Sequence, residues 1–119
     1  MGLHGEPGVR RGKMKPVDEV VDEILDLLIR DLPFNPGDEV CVLVNGYGAT
    51  TRMELLIAMR RTLAQLDGKG FKVYFSEAGN FATCQEMAGV SVTLMRVDDE
   101  LKRFIDAPVW SPVYKKGSR

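Results

Sequence analysis

The sequence predicts an α/β fold, a βαβ-based sheet with helices packed on it. Two observations support this class. Apolar residues recur at three- and four-residue steps in two long segments, as they do on amphipathic helices. Short β-branched segments, EVCVLV (39–44) and FKVYFSE (71–77), flank the second of these helices and follow glycine-containing turns. A strand, a helix and a strand in this order form a parallel βαβ unit with a right-handed crossover.

The first helix is predicted to begin at Pro16 and to end before the loop LPFNPGD (32–38). Pro16 suits the first turn of a helix, where its missing N–H group is not needed. The apolar positions have helical spacing and are Val17, Val20, Val21, Ile24, Leu25, Leu28 and Leu32. Acidic residues occupy the other side and the first turns, where they complement the positive end of the helix dipole. The pattern indicates an amphipathic helix with one buried face.

The second helix follows the motif NGYGATT (45–51). Either Thr50 or Thr51 is suited to cap it, and it runs to about Asp67, before the turn DGKG. Its inward residues are predicted to be Met53, Leu55, Leu56, Met59, Leu63 and Leu66.

The rest of the chain carries weaker signals. Residues 78–89 are mixed, and FATCQEMA within them predicts one or two helical turns. SVTLMRV (91–97) alternates as a strand does, and ELKRFID (100–106) predicts a short last helix. Residues 107–119 are predicted to be irregular. Residues 1–15 hold four of the twelve glycines and are predicted to be extended or turning.

Composition and charge exclude several classes of protein. With 119 residues, the chain has room for one domain with one core. It is 45% hydrophobic and 28% charged, as ordinary soluble domains are, and its net charge of −1 provides no positive field for nucleic acid. No apolar run approaches the roughly 20 residues of a membrane span. We therefore expect a cytoplasmic protein that binds neither nucleic acid nor membrane.

Cysteine and histidine are scarce in this sequence. Cys41 and Cys84 are far apart, and with one histidine they exclude a four-ligand zinc site built from these residue types alone. We expect no metal site and a reducing compartment. Cys84 has no local base, so we interpret it as a small core residue and not as a nucleophile.

His4 is the only histidine and lies in the motif HGEPG. The glycines near it have no side chain and so let a ligand approach the backbone closely. A neutral imidazole can act as a nucleophile, base or ligand near neutral pH. On composition alone, a solvated loop residue is the more common role for such a histidine. Glu6 is a candidate orienting partner, although its spacing from His4 guarantees no contact.

The motif NGYGATT lies where α/β sheets place ligand loops, at the carboxyl end of a strand and before a helix. It is neither a Walker loop nor GxGxxG, and a tight turn without a ligand explains it equally well. Glu54 is most simply a partner of the helix dipole, and Tyr47 a packing residue.

Two further groups have a functional and a structural interpretation. Asp98 and Asp99 have the chemistry of ligands for a divalent cation, but helix capping explains them better. Four basic residues near the amino terminus would steer a phosphorylated partner, although such charges are usually only solvated. They are Arg10, Arg11, Lys13 and Lys15.

Four ordered blocks resemble the carboxyl-terminal part of the substrate-binding half of dihydroxyacetone kinases. The first is GLHGEPGVRR (2–11), and the second is VNGYGAT (44–50) with the EL that follows it. The third is the pattern G-x-x-x-T-x-x-x-M-x-G-x-S-x-T-L from Gly79 to Leu94, and DDEL and DAPV form the fourth. Together the blocks cover nearly the whole chain.

The resemblance implies a catalytic role for His4. In that family the histidine of HGEPG forms a reversible covalent hemiaminal with the ketone carbon of dihydroxyacetone, and Gly5 and Glu6 are its neighbours in the site. Capture at a carbonyl selects short ketoses and aldoses over glycerol. The resemblance also divides the chain into a substrate-histidine loop, residues 1–15, and an α/β domain, residues 16–119, whose turn at residues 45–50 shapes or supports the site.

The resemblance further implies that this chain is an incomplete half of a larger two-lobed subunit. The family's upstream half supplies a glycine-rich substrate loop and an aspartate that activates the hydroxyl, so we expect no kinase activity without it. A separate helical domain or subunit binds ATP or ADP with magnesium and is in some bacteria recharged by the phosphotransferase system. No residue here is assigned to a cofactor, and homo-oligomers are expected. The alternative is a non-catalytic coactivator that senses dihydroxyacetone.

Overall fold

A computed structural model describes residues 7–117 and confirms the α/β class. Its helices are α1 (Val17–Asp31), α2 (Arg52–Gly68) and α3 (Asp99–Asp106). Its strands are β1 (Glu39–Gly48), β2 (Lys72–Gly79), β3 (Ala88–Arg96), β4 (Val109–Trp110) and β5 (Lys115–Lys116). No helix within these residues is long and apolar enough to cross a membrane.

The main sheet has the strand order β2-β1-β3. β1 and β2 are parallel and are joined through α2, which confirms the predicted βαβ unit. β3 returns antiparallel to β1 and pairs with it along its whole length, from Ala88 opposite Gly48 to Arg96 opposite Val40. The central strand β1 is therefore covered on both edges, whereas β2 and β3 are the edge strands of this sheet.

Both long helices pack on one face of the sheet. Every second residue of β1 points into this layer, so Val40, Val42 and Val44 are almost completely buried, against residues such as Leu25 and Leu55. These valine and leucine side chains are part of a continuous apolar core, whose burial is the main stabilising contribution to the fold.

Charged pairs join the outer sides of the two helices. Asp22 accepts two hydrogen bonds from the Arg61 guanidinium, at 2.9 and 2.6 Å, and Lys69 pairs with Asp26 at 3.1 Å. The hydrogen bond from Arg61 lowers the pKa of Asp22. The pairs fix how α1 lies beside α2, above the core that both helices cover.

The opposite face of the sheet carries α3 and the β4–β5 hairpin. No residue of α3 is fully buried, and a cavity of about 400 Å³ remains between this layer and the sheet. Tyr114 donates a hydrogen bond to Glu77 at 2.9 Å, and Tyr74 donates one to Asp106, so two tyrosines attach the layer to β2. The layer formed by α3 and the β4–β5 hairpin therefore consists of shorter elements than the layer formed by α1 and α2.

Four predictions about the elements are wrong. β1 extends through Gly48, because NGYG pairs with the start of β3 instead of forming a turn. Residues 80–87 contain no helical turn, since the Asn45 side chain of β1 binds the backbone of Phe81 and Ala82. β3 begins at Ala88 and not at Ser91. The tail contains the β4–β5 hairpin where an irregular ending was expected.

The predicted inward face of α2 is also wrong at two positions. Met53 is 69% exposed and Leu56 is 51% exposed, whereas Ala58 and Thr62 are buried instead. The buried face of α2 consists of Leu55, Ala58, Met59, Thr62 and Leu66, so the helix is rotated relative to the prediction.

Candidate functional site

The carboxyl end of β1 is joined to the loop of residues 80–87 by the side chain of Asn45. This side chain is only 4% exposed. Its Oδ1 accepts hydrogen bonds from the backbone N–H groups of Phe81 and Ala82, and its Nδ2 donates to the carbonyl of Ala82, all at 2.9 Å. The backbone of Phe81 and Ala82 is not paired with a strand. The buried Asn45 amide therefore supplies the hydrogen bonds that a neighbouring strand would otherwise provide.

Further hydrogen bonds extend this attachment towards the start of α2. The N–H of Gly48 donates to Oγ1 of Thr83 at 2.8 Å, and the N–H of Ala49 donates to the Met87 carbonyl at 2.8 Å. The Thr50 hydroxyl both accepts from the N–H of Gly89 and donates to its carbonyl, each at 2.8 Å. Residues 45–50 and 81–89 are thus bound to each other at successive positions and form one unit, which we call the paired segments.

Two glycines of the paired segments lie close to their neighbours, and the backbone around Gly48 requires glycine there. Gly48 has φ +50°, and a Cβ atom on it would lie 2.3 Å from the Met87 carbonyl oxygen. A Cβ atom on Gly46 would lie 2.8 Å from Oδ1 of Asn80 and 2.8 Å from Cδ1 of Leu55. The two glycines of NGYG therefore allow close packing between segments, and this structural role explains them without a ligand.

Thr51 begins α2 with a capping box. Its side chain accepts from the N–H of Glu54, and the Glu54 carboxylate accepts from the N–H of Thr51 at 2.8 Å. These hydrogen bonds, first that from the Thr51 backbone, lower the pKa of Glu54. Of the two candidate caps, Thr51 is the one that caps α2, whereas the Thr50 hydroxyl binds Gly89 within the paired segments. The interpretation of Glu54 as a partner of the helix start is confirmed.

Tyr47 and Cys84 occupy the margins of the paired segments. Tyr47 is half-buried, lies against Gly89 and has its hydroxyl 3.5 Å from that of Ser91, which confirms a packing role. Cys84 is half-buried in the loop beside Gly48. Its interpretation as a core residue is wrong, because the loop lies outside the apolar cluster. Cys41 is buried in β1.

Of the two aspartates that follow β3, Asp98 caps α3 and Asp99 is its first residue. Asp98 precedes α3 and accepts from the N–H of Leu101 at 2.8 Å, while Asp99 lies 3.4 Å from Lys102 in the first turn. This arrangement confirms helix capping for Asp98. Among the residues that the structure describes, no group of three or more His, Cys, Asp or Glu is placed to hold a metal ion.

The predicted site residues His4, Gly5 and Glu6 lie outside the described residues. The chain that follows them can be placed, because Arg10 and Lys15 both form ion pairs with Glu23 of α1. Two of the four basic residues are therefore engaged within the protein, whereas Arg11 and Lys13 are exposed. The ion pairs attach residues 10–15 to the outer surface of α1.

The role of Asn45 was not recognised from the sequence. The sequence does contain one indication of this role, because Asn45 directly follows an apolar strand segment. An asparagine buried at such a position must form hydrogen bonds with its side-chain amide. Sequence alone does not name its partners, which lie 36 and 37 residues further along the chain.

Comparisons with known proteins agree with the sequence resemblance. The Dak1 domain family matches residues 1–113. A subunit of Listeria innocua named "PTS-dependent dihydroxyacetone kinase 2, dihydroxyacetone-binding subunit DhaK" is 44% identical over 97% of this chain, and the match covers 35% of that protein. The human triokinase/FMN cyclase is 39% identical over 90% of this chain and 20% of its own length.

A solved structure with the same fold is titled "Dihydroxyacetone kinase operon co-activator Dha-DhaQ". It superposes with a TM-score of 0.81 at 31% identity, over 91% of this chain and 34% of that one. The chain thus spans about a third of the length of the Listeria subunit and of the coactivator.

Proposed function

Because this chain belongs to the Dak1 domain family, we propose that it is the ketose-binding part of a dihydroxyacetone kinase, in which His4 holds the substrate for phosphoryl transfer. The observation that carries the proposal is the 44% identity with a dihydroxyacetone-binding subunit over 97% of the chain. The region matched by the family, residues 1–113, includes the HGEPG motif.

His4 is proposed to capture the ketone as a hemiaminal. The unprotonated imidazole nitrogen attacks the carbonyl carbon, a C–N bond forms, and the π-bond electrons move to the oxygen. That oxygen gains a proton while the other ring nitrogen loses one, so the addition is net neutral and reverses by the same steps. The attachment holds a terminal hydroxyl in place, which lowers the entropic cost of phosphoryl transfer.

This chemistry defines the class of substrate. Short ketoses and aldoses have a carbonyl to attack, whereas glycerol has the same three-carbon length and only hydroxyls. A relative from Pectobacterium atrosepticum named L-erythrulose kinase, 36% identical over 99% of this chain, supports the inclusion of four-carbon ketoses. We propose dihydroxyacetone as the principal substrate, because the Listeria subunit carries that name.

The paired segments support this proposal by providing a fixed surface at the carboxyl end of β1. Seven hydrogen bonds described above, three of them to the buried Asn45, hold residues 81–89 against residues 45–50. A site that captures a small ketose benefits from rigid walls, because substrate orientation is lost when the walls move. We assign Asn45 the role of supporting this surface, without contact to the substrate.

The remaining parts of the reaction are proposed to lie on other polypeptide. The upstream portion of the subunit would complete the substrate site and activate the hydroxyl. A helical domain or subunit would bind ATP or ADP with magnesium and donate the phosphoryl group, and the phosphotransferase system is one route to recharge it. We propose that the assembly works in the cytoplasm and contains more than one copy of this chain.

A second candidate function is a non-catalytic sensor of dihydroxyacetone. The similarity to the coactivator titled Dha-DhaQ, with its TM-score of 0.81, is consistent with this alternative. A sensor of this kind would still bind the ketose covalently but would need no phosphoryl donor. The two functions differ in their partners, since a kinase requires a nucleotide-binding subunit and a coactivator requires a transcription factor.

Native purification followed by a binding comparison tests the proposal. The assembly containing this chain should bind dihydroxyacetone in calorimetry and should not bind glycerol, its matched control without a carbonyl. Copurification of a nucleotide-binding subunit supports the kinase, and copurification of a transcription factor supports the sensor. Equal binding of glycerol and dihydroxyacetone would contradict both.

A further inference from the structure

Residues 9–15, which we call the basic segment, connect the predicted site residues to α1 and carry four basic side chains. Two of these, Arg10 and Lys15, form ion pairs with the same carboxylate, that of Glu23. One carboxylate balances only one of the two cations. The contact that attaches the basic segment to α1 therefore retains a positive charge.

The other acidic residues of α1 leave the basic segment uncompensated. Three of them already pair with basic residues of α2, and these are Asp18, Asp22 and Asp26. Arg11 and Lys13 are exposed, and no carboxylate among residues 7–117 forms an ion pair with either. Four cations and the one carboxylate of Glu23 leave three positive charges at this surface, on a chain whose net charge is −1.

Exposed apolar side chains accompany these charges. Met14 is 99% exposed and Val9 is 75% exposed. A small anion would be bound by the cations alone and would leave both apolar side chains in water. Protein interfaces, by contrast, are enriched in methionine and arginine relative to the rest of the surface. The composition of the basic segment therefore favours contact with another protein.

An anionic lipid surface is the other partner that cations and apolar side chains together can bind. Segments that bind such lipids typically present about four to eight lysine or arginine residues to the headgroups. Here Arg10 and Lys15 are engaged by Glu23, so only Arg11 and Lys13 are available. This number is too small for a lipid-binding cluster, and a protein partner is the better fit.

We propose that the basic segment docks an acidic surface of the subunit that carries the phosphoryl donor. Arg11 and Lys13 attract that surface and fix its orientation, and Met14 packs within the contact. Because the chain as a whole is slightly acidic, the local positive charge also directs an acidic partner to this place. The inference rests on the proposed kinase function and names the surface that the donor subunit binds.

The basic segment is close enough to His4 for one subunit to reach both. Arg11 follows His4 by seven residues, and an extended chain spans at most about 3.6 Å per residue, so their Cα atoms are at most about 25 Å apart. An interface of standard size buries about 800 Å² on each partner, which corresponds to a patch about 32 Å across. A subunit that delivers a phosphoryl group to a ketose on His4 can therefore cover Arg11 in the same contact.

Association kinetics of the copurified nucleotide-binding subunit with the rest of the assembly test this surface. Arg11→Gln combined with Lys13→Gln should lower the association rate constant about five- to tenfold at low salt. The difference should disappear at about 0.5 M salt, because screening removes the attraction. Arg11→Lys combined with Lys13→Arg keeps both charges and should associate as the unmodified chain does. Met14→Ala should instead raise the dissociation rate constant about threefold or more.

The matched control is Lys72→Gln combined with Arg103→Gln. It makes the same change in net charge at exposed residues of β2 and α3, away from the basic segment, and should leave both rate constants unchanged. The inference is overturned if this control slows association as much as the glutamine variant of the basic segment, or if that variant has no effect. It is also overturned if the basic segment binds vesicles of phosphatidylcholine and phosphatidylserine in equal parts.

Two outcomes separate this inference from the proposed function. If no nucleotide-binding subunit copurifies with the chain, the kinase proposal and the docking surface are both wrong. If that subunit copurifies and the assembly binds dihydroxyacetone in calorimetry, but the glutamine variant of Arg11 and Lys13 associates at the normal rate, only the docking surface is wrong.

Discussion

Asn45 and Ala82 hold each other by reciprocal hydrogen bonds, since the Asn45 amide nitrogen donates to the Ala82 carbonyl and its amide oxygen accepts from the Ala82 N–H, both at 2.9 Å. The Asn45 amide thereby offers Ala82 one donor and one acceptor, as the backbone of a neighbouring strand would. It continues the hydrogen bonding of β1 into a loop that has no regular structure.

Replacing Asn45 should release this loop. Asn45→Ala removes three hydrogen bonds in a nearly buried position, so the free energy of unfolding should fall by about 1–3 kcal/mol. Amide hydrogen exchange of residues 80–87 should accelerate more than that of β1. Asn80→Ala, at an exposed neighbouring position, is the control and should have little effect on either measurement. Unchanged exchange in Asn45→Ala would contradict the role assigned to this residue.

Gly48 should not tolerate a side chain. Its φ of +50° and the Met87 carbonyl oxygen, 2.3 Å from an added Cβ, make Gly48→Ala strained in two ways. We expect a loss of about 1–3 kcal/mol, measured by urea unfolding. Gly68→Ala is the matched control, because nothing lies within 4 Å of its added Cβ, and it should be neutral or slightly stabilising. Equal effects of the two substitutions would show that residue 48 is not constrained.

The Asp22–Arg61 pair should stabilise the fold only above acidic pH. Arg61 lowers the pKa of Asp22, so the folded chain binds fewer protons than the unfolded chain at acidic pH. The contribution is complete above the unfolded pKa, about 4, and is lost as pH falls through the lower folded pKa. A double-mutant cycle with Asp22→Asn and Arg61→Gln should give a favourable coupling at pH 7 that disappears at strongly acidic pH. A coupling independent of pH would refute this account.

The purified chain alone should not phosphorylate dihydroxyacetone. It spans about a third of the Listeria subunit, and the residues proposed to activate the hydroxyl and to donate phosphate lie elsewhere. Incubation with ATP, magnesium and dihydroxyacetone should yield no dihydroxyacetone phosphate in a coupled assay. Robust product formation would place the complete reaction within these 119 residues and contradict the proposed division of labour.

The long elements of the fold were predictable because their signals are local. The spacing of apolar residues in α1 and the branched residues at the start of β1 determine those elements without reference to distant contacts. The end of β1 was not predictable, since its extension through Gly48 depends on pairing with Ala88, 40 residues away. The helical pattern of FATCQEMA was likewise overridden by the hydrogen bonds from Asn45.

Local sequence patterns indicated the candidate caps of α2, but not the hydrogen bonds between the paired segments. Thr51 and Glu54 stand three residues apart, the spacing of a capping box, although the sequence left Thr50 and Thr51 as alternative caps. The hydrogen bonds between Thr50 and Gly89 join segments that approach only after the sheet has formed, so no short pattern encodes them.

Carbon-13 NMR of the natively purified assembly with dihydroxyacetone labelled at its carbonyl carbon tests the central claim most directly. The account predicts a new resonance of a tetrahedral carbon bonded to nitrogen, absent when the assembly carries His4→Ala. Because His4 is the only histidine in this chain, the substitution removes every imidazole that it could contribute. A tetrahedral signal of equal intensity in His4→Ala, or a bound ligand that remains a free ketone in the unmodified assembly, would contradict the account.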